Sequence, residues 1–331
     1  MHPITESCLS AKEQVAPPNS DNLPLPRDAV VVARNVSKWF GDLVAVNDVS
    51  FTLGPGVTAL LGPNAAGKST LLRLLSGMAK PSGGTIKVLG MNPRKERRAA
   101  QLIGIAPQQE SVFESLTAQE FVEMSATLQG VQDPSGATKK ALEMVELNTT
   151  DSRRLPSYSK GMRQRVKLAQ AIVHEPQVII LDEPLTGLDP RQRLKMVDLF
   201  HRLADEDRCV IVSSHVLEEV ERFGSTVLVI SKGRLAAQGN FHSIRELIDD
   251  QPRRVRVRTD SPRSLAGALL ASGVVSGLRL ERELVEFDTE DSRAFATAIA
   301  PLAKRESARL LEVSPLDDDL ESVFRYLVDR Q

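Results

Sequence analysis

A short run of small residues that ends in Lys-Ser-Thr predicts a loop able to bind phosphate. The run matches the pattern G-x-x-x-x-G-K-[ST] and consists of Gly62, Pro63, Asn64, Ala65, Ala66, Gly67, Lys68, Ser69 and Thr70. Backbone N–H groups of such a loop, and of the helix that it opens, point at phosphate oxygens. Lys68 would reach the β- and γ-phosphates of a nucleotide, Ser69 would bind Mg²⁺ through its hydroxyl, and Thr70 would add a hydroxyl contact to phosphate.

Two carboxylates further along the chain predict the other half of a nucleotide site. Asp182 and Glu183 follow the apolar residues 178–181, which have the composition of a buried strand. Open α/β sheets bind ligands at the carboxyl ends of their strands. Asp182 would hold Mg²⁺, directly or through water, and Glu183 would orient and deprotonate the attacking water. A polar turn is the other interpretation of Asp-Glu after a strand, and the phosphate loop upstream favours the catalytic one.

The surrounding sequence predicts the elements that must position these side chains. Residues 57–61 form an apolar run before the loop, and residues 68–76 have the pattern of a helix after it. Strand patterns also occur at residues 30–36, 44–53, 103–106, 178–181, 210–213 and 227–230. Strands that alternate with helices predict an α/β fold. A mostly helical stretch over residues 116–155 interrupts the alternation, as an inserted subdomain would.

Between the two nucleotide motifs lies a sequence that resembles the signature of the ATP-binding subunits of ABC transporters. It consists of Tyr158, Ser159, Lys160, Gly161 and Met162. The family usually has Leu-Ser-Gly-Gly-Gln there, so Ser159 and Gly161 keep their places while Lys160 and Met162 depart. The resemblance covers residues 30–243 and implies that the signature contacts the nucleotide held by an opposing subunit. An ordinary helix capped by Ser159 is the alternative interpretation.

The resemblance assigns two further residues to the reaction. Gln108, which follows Ile105-Ala106-Pro107, matches the glutamine loop that senses Mg²⁺ and water and adjoins the membrane partner; Gln109 is the alternative assignment. His215 follows the apolar residues 210–212 and two serines and matches the histidine that contacts the γ-phosphate. A lone histidine after a strand carries no such meaning by itself, so this role depends on the family pattern.

The resemblance also assigns a dimer contact and a base contact. Leu188 and Asp189, in Thr186-Gly187-Leu188-Asp189, match the loop that crosses the dimer interface of the family. Phe40, in Lys38-Trp39-Phe40-Gly41, matches the aromatic residue that stacks on adenine, and Trp39 could share that role. An aromatic residue in the core or at a sheet edge is the alternative interpretation of Phe40.

Ala65 departs from the family pattern, which has glycine at that position. Glycine there permits positive φ and a close approach of the backbone to phosphate. Alanine held at positive φ would cost on the order of 1 kcal/mol. Because Gly62 and Gly67 remain, we expect nucleotide binding to survive, and the effect of Ala65 on turnover stays open.

Composition bounds the class of protein. The 331 residues have 41% hydrophobic content and a formal net charge of −1, so there is no global attraction to nucleic acid and none is expected as a partner. The two cysteines, Cys8 and Cys209, exclude a disulfide framework. No apolar run reaches the roughly 18 to 20 residues that span a bilayer, and no secretory signal is evident. We therefore expect a chain that cannot cross a membrane alone.

Three regions are expected along the chain. Residues 1–28 are polar and rich in proline and predict a disordered tail. Residues 29–249 would form the α/β phosphate-loop NTPase domain, which the resemblance makes an ABC ATPase with an antiparallel β subdomain and an inserted helical subdomain. Residues 250–331 show the order β-α-β-β-α-β of a small ferredoxin-like α+β domain with a final helix over 317–328. The alternating arginines of residues 253–258 predict the solvated face of an edge strand, and a patch that binds anionic lipid headgroups or nucleic acid is the alternative interpretation.

The resemblance implies an ATP-hydrolysing motor subunit. Residues 319–324 are similar to the ending of exporter ATPases in the drug and antibiotic resistance group. Two copies, or one copy and a paralogue, would enclose two ATP and Mg²⁺ and drive a separate multi-span permease at the cytoplasmic face of the cell membrane. The alternatives are a soluble ABC-type ATPase of translation or DNA repair, a kinase-like transferase and a catalytically weak scaffold.

Overall fold

The computed structural model describes residues 28–108, 115–223, 226–240, 253–282 and 284–316. The strands are β1 (Val31–Phe40), β2 (Leu43–Leu53), β3 (Gly56–Leu61), β4 (Gly83–Val88), β5 (Ile103–Ala106), β6 (Val178–Leu181), β7 (Cys209–Ser214), β8 (Thr226–Ser231), β9 (Arg234–Gly239), β10 (Arg253–Thr259), β11 (Gly277–Glu281), β12 (Leu284–Thr289) and β13 (Leu310–Pro315). The helices are α1 (Lys68–Leu75), α2 (Arg97–Gln101), α3 (Ala118–Gln129), α4 (Pro134–Met144), α5 (Lys160–Ile172), α6 (Pro190–Ala204), α7 (Leu217–Phe223), α8 (Pro262–Ala271) and α9 (Ser292–Arg305).

A six-stranded sheet forms the centre of the first unit. Its order is β5-β6-β7-β3-β8-β9, and its strands are parallel except for β9, which runs antiparallel to β8. Every residue of β6 and β7 is buried, as expected for parallel strands that are covered on both faces. Because β6, β7 and β3 are neighbours, the loops that follow them meet at one edge of the sheet.

The two faces of this sheet bury different layers. One face packs its apolar side chains against α3, α4, α5, α6 and α7. The other face packs against α1 and a second, antiparallel sheet of order β2-β1-β4. The predicted α/β layering and the antiparallel β subdomain are therefore confirmed.

The predicted helical insertion is confirmed as α3 and α4. Thr117 and Glu120 form a capping box at the start of α3, and Gly130 ends that helix with φ 77°. Asp133 caps α4 through the N–H of Gly136, and Pro134 occupies the first turn. These local signals separate the insertion into two short helices, and both pack against α5.

The second unit has the predicted β-α-β-β-α-β order. Its antiparallel sheet has the order β11-β12-β10-β13. Apolar side chains of β10 and β12 pack against α8 and α9 and form a separate core. Ser261 precedes α8 and Pro262 begins it, as predicted, although the Ser261 side chain makes no capping hydrogen bond.

The prediction that residues 253–258 form an edge strand is wrong. β10 lies between β12 and β13, so its arginines face neighbours on both sides. They form ion pairs across the sheet, which are Arg254–Asp288 at 3.2 Å, Arg256–Glu286 at 2.7 Å and Arg258–Glu312 at 3.2 Å. The alternation correctly predicted that the valines of this strand are buried. It could not predict the ion pairs, because the acidic partners lie more than 25 residues away in the chain.

Several predicted features lie outside the described residues. They are the tail up to residue 27, Gln109, the segment 319–324 and the final helix over 317–328. Among the residues that are described, no helix is both long and apolar enough to span a bilayer.

Candidate active site

The phosphate loop joins β3 to α1 and is held by contacts that require glycine. Gly67 has φ 104°, and a Cβ there would lie 2.4 Å from the carbonyl oxygen of Ala45. A Cβ on Gly62 would lie 2.5 Å from the carbonyl oxygen of Ile230. The loop is thus wedged between β2 and the end of β8, which fixes the direction of its backbone.

Ala65 adopts the conformation that the family glycine would occupy. Its φ is 63°, in the left-handed region. The expectation that this alanine is held at positive φ is confirmed, and with it a conformational cost on the order of 1 kcal/mol. The side chain of Ala65 is exposed, so no buried contact offsets this cost.

Lys68 is buried at the start of α1, and its ammonium points back into the loop. Its Nζ donates to the carbonyl oxygens of Gly62 at 2.6 Å and Pro63 at 3.2 Å, and it lies 3.4 Å from Oε1 of Glu183. Ser69 and Thr70 follow in the first turn of α1, where backbone N–H groups have no partner within the helix. The loop therefore gathers a cation, hydroxyls and free backbone donors, which is the chemistry that binds phosphate.

Glu183 joins the phosphate loop to His215. The side chain is only 5% exposed, and its Oε2 lies 2.8 Å from Nδ1 of His215 while Oε1 faces Lys68. The backbone of Glu183 has φ 53°, an uncommon conformation for a residue other than glycine, and its N–H donates to Oγ of Ser213 at 2.9 Å. The structure thus brings together Lys68, Glu183 and His215, as predicted.

Asp182 offers a carboxylate of the kind that Mg²⁺ prefers. It is buried at the end of β6, and one of its oxygens accepts a hydrogen bond from Oγ of Ser213 at 2.7 Å. Its second oxygen has no hydrogen bond within the described part of the chain. Mg²⁺ is commonly bound by one or two carboxylates together with substrate phosphates and water. Asp182, at the carboxyl end of β6, and the hydroxyl of Ser69 in the phosphate loop fit that set of ligands.

Phe40 stands at an exposed hairpin beside the phosphate loop. It is 53% exposed and pairs with Leu43 across the turn between β1 and β2. Two residues further along β2, the carbonyl of Ala45 packs against Gly67. Lys38 places its ammonium 4.8 Å from the centre of the Phe40 ring. An exposed aromatic ring at this place is available to a planar base, and Trp39, 46% exposed, is also at the surface.

The signature residues form a group with the loop before α6. Ser159 caps α5 by accepting from the N–H of Met162 at 3.2 Å. A Cβ on Gly161 would lie 3.1 Å from Leu188, and the stem of Lys160 packs over Gly187. No hydrogen bond between described residues joins Ser159 or Gly161 to the phosphate loop.

Tyr158 is a buried anchor of the signature segment. Arg153 and Asp151 hold it, with the guanidinium 5.3 Å from the ring centre. Hydrogen bonds from Arg153 lower the pKa of Asp151 to about 2. Burial, followed by the hydrogen bond to Asp151, raises the pKa of Tyr158 to about 12. Both groups therefore keep one charge state over the whole physiological pH range.

Comparison with known proteins decides the family. A sequence profile described as ABC transporter matches residues 46–186. The Nod factor export ATP-binding protein I of Burkholderia lata is 37% identical over 217 residues, which are 64% of this chain and 71% of that protein. The protein of the same name from Rhizobium johnstonii is 33% identical over 304 residues, covering 89% of this chain and 94% of that one. The chain belongs to the ABC transporter family of ATP-binding proteins.

Solved structures agree with this assignment. An ATP-binding subunit of an ABC transporter superimposes with a TM-score of 0.60 at 25% identity, covering 66% of this chain and 92% of that one. The post-hydrolysis dimer of an ATP-binding cassette, bound to ADP and Pi, gives a TM-score of 0.59 at 23% identity, covering 64% of this chain and 98% of that one. The second likeness shows the fold alone. As a member of the family, this ABC ATPase hydrolyses ATP.

The structure of the ABC ATPase adds two site residues that its sequence did not reveal. Ser213 links the catalytic pair, since its hydroxyl accepts from the N–H of Glu183 and donates to Asp182. Lys167 of α5 is buried and donates to the carbonyl oxygens of Pro107 at 2.8 Å and Gln108 at 3.2 Å. Gln108 itself is exposed, just beyond β5. A signal for Lys167 was present in the sequence, because this lysine lies between two apolar residues, Val166 and Leu168, both of which are buried.

Proposed function

We propose that this ABC ATPase is the motor subunit of an exporter, in which two copies, or a copy and a paralogue, enclose two ATP and Mg²⁺ and drive a separate membrane permease. The observation that carries the proposal is the meeting of Lys68, Asp182, Glu183 and His215 at the carboxyl edge of the central sheet. The export-type names of the relatives favour an exporter.

The chemistry follows from the charges around Glu183. The Glu183 carboxylate lies 3.4 Å from the buried Lys68 ammonium, and a carboxylate at this position can accept a proton from the attacking water. His215 fixes one carboxylate oxygen, so the other is directed toward the phosphate loop. The Lys68 ammonium offsets negative charge on the transferring phosphoryl group. Mg²⁺ held by Ser69 and Asp182, with Gln108 nearby, would neutralise further charge on the phosphates.

The signature would form one half of a composite nucleotide site between two chains. Ser159 and Gly161 lie at the start of α5, where backbone donors and the helix dipole favour an anion. Leu188 is buried beside Gly161 and the stem of Lys160 packs over Gly187, so the signature and the predicted interface loop adjoin, and Ser159 and Asp189 are exposed there. We infer that this surface meets the phosphate loop of the opposing subunit. The dimeric cassettes among the solved structures support the arrangement.

We propose that Gln108 and the helical insertion, α3 and α4, contact the permease. Gln108 lies between the central sheet and α3, at the surface, while Lys167 holds its backbone to α5. Because the Gln108 backbone is held to α5 while its side chain is exposed, Gln108 is suited to contact a partner.

Purification of the full chain from membranes of its native host tests the proposal. We expect a multi-span membrane protein to accompany it, and we expect that protein to raise ATP hydrolysis when both are placed in lipid vesicles. A Lys68→Ala chain is the matched control, because it should keep the membrane partner and lose the hydrolysis. Recovery of the wild type with ribosomes or with DNA, and with no membrane partner, would favour an ATPase of translation or repair.

A further inference from the structure

An ion pair connects α6 to α7 beside the catalytic residues. Nη1 of Arg193 lies 3.2 Å from Oε1 of Glu219, and the two side chains are 41% and 13% exposed. An isolated pair at a surface contributes little to stability. This pair differs because each partner uses its remaining polar atoms to hold a different loop of the site.

Arg193 holds the loop that precedes α6. Its Nε donates to the carbonyl oxygen of Leu188 at 3.1 Å. Asp189 begins α6 by capping Gln192, so Arg193 lies only one turn into the helix and its guanidinium turns back over the loop. The side chain of Leu188 is buried and packs toward Gly161 of the signature. Arg193 therefore fixes the part of the chain that carries the proposed subunit interface.

Glu219 holds the segment that carries His215. Its Oε2 accepts from Oγ of Ser214 at 2.7 Å, and the same Oγ accepts from the N–H of Val216 at 3.0 Å. Ser214 and Val216 are the two neighbours of His215, whose Nδ1 contacts Glu183. The Glu219 carboxylate thus restrains the position of the backbone on both sides of His215.

We propose that Arg193 and Glu219 are positioning residues that fix the Leu188–Asp189 loop relative to His215, so that the interface loop and the His215–Glu183 contact move as one unit. The inference rests on the proposed function, in which that loop meets a second subunit. Arg193 makes the planar, two-sided contact that guanidinium permits and a lysine ammonium does not. No hydrogen bond between described residues links either side chain to the phosphate loop, so the pair acts on hydrolysis rather than on nucleotide binding.

A double-mutant cycle in the full chain tests this proposal. The variants are Arg193→Ala, Glu219→Ala and both together, with Arg191→Ala as the matched control, because Arg191 is exposed on the same helix. We measure kcat and KM for ATP, together with the thermal unfolding midpoint. Each single variant should lower kcat by about 10-fold, less than the roughly 100-fold that a displacement of about 1 Å can cost. KM should stay within about 2-fold, because the phosphate loop is untouched.

The cycle also shows whether the two residues act together. If they do, the double variant falls no further than either single variant. Arg193→Lys, which keeps the ion pair without the fork, should recover part of the loss. A kcat equal to that of Arg191→Ala, or losses that multiply in the double variant, would overturn the proposal. Should Glu219→Ala fail to fold, the more exposed Arg193→Ala decides by itself.

Two reference chains separate this inference from the proposed function. Wild-type hydrolysis that Glu183→Gln abolishes shows that the proposed site is the working one. A normal kcat in Arg193→Ala then counts against the positioning pair alone. Equal hydrolysis by the wild type and Glu183→Gln counts against the proposed site.

Discussion

Replacing Ala65 by glycine should stabilise this protein, although glycine substitutions usually destabilise. Ala65 is held at φ 63°, and its methyl group is exposed. A left-handed backbone costs an alanine roughly 1–2 kcal/mol, and glycine avoids this cost. Glycine also raises the conformational entropy of the unfolded chain, which destabilises the folded state by about 0.4–1 kcal/mol. The net gain is about 1 kcal/mol, which corresponds to a rise of about 2–4 °C in the melting temperature of a domain of this size.

The neighbouring residues supply controls with the opposite sign. Ala66 is buried and is not at positive φ, so Ala66→Gly should destabilise through the lost methyl group, worth about 0.8 kcal/mol, and through added chain entropy. Gly67→Ala should be worse, because its Cβ would lie 2.4 Å from a backbone oxygen. Calorimetric melting of the three variants beside the wild type is the assay. A fall in melting temperature for Ala65→Gly equal to that for Ala66→Gly would refute the reasoning.

Three further predictions concern single side chains. Lys68→Ala should abolish hydrolysis and weaken ATP binding, since the ammonium that faces Glu183 and the phosphates is lost; near-normal turnover of the purified variant would remove Lys68 from the site. Lys167→Met should speed amide hydrogen exchange over residues 103–108 by releasing two carbonyls, whereas Lys167→Arg should not, and unchanged exchange in Lys167→Met would contradict its role. Burial raises the pKa of the Cys209 thiol to about 12, so in a Cys8→Ser chain iodoacetamide at pH 8 should label only unfolded protein; prompt labelling of the folded chain would show that Cys209 is accessible.

The sequence predicted the elements whose own residues determine their structure. Apolar runs revealed β3 and β6 because both faces of those strands are buried. No strand was predicted at β4 or β9; the sequence of β4, GGTIKV, begins with two glycines, and that of β9, RLAAQG, has no β-branched residue. Pairing with β1 and β8 holds them extended, and that pairing is a property of the assembled sheet.

The same limit applies to the site. The phosphate loop and Glu183 were found because each is a contiguous motif with its own chemistry. Ser213, Lys167 and the Arg193–Glu219 pair were missed because their partners lie 26 to 60 residues away in the chain, and only the fold brings them into contact. For Ala65 the resemblance to the family, which has glycine at that position, predicted the positive φ that the structure shows.

In the proposed mechanism, Glu183 deprotonates the water that attacks ATP held between two copies of the chain. The Glu183→Gln variant tests this role most directly. The amide has nearly the size of the carboxylate but cannot take a proton from water, so hydrolysis should fall by roughly 10²- to 10⁴-fold while ATP binding persists. With ATP and Mg²⁺ the variant should sediment as a dimer, because in the proposed composite site the γ-phosphate would contact the phosphate loop of one chain and Ser159 and Gly161 of the other. With ADP and Mg²⁺ it should sediment as a monomer. A monomer in both nucleotides, with ATP shown to be bound, would contradict the composite site in the isolated subunit, and wild-type hydrolysis would contradict the role of Glu183.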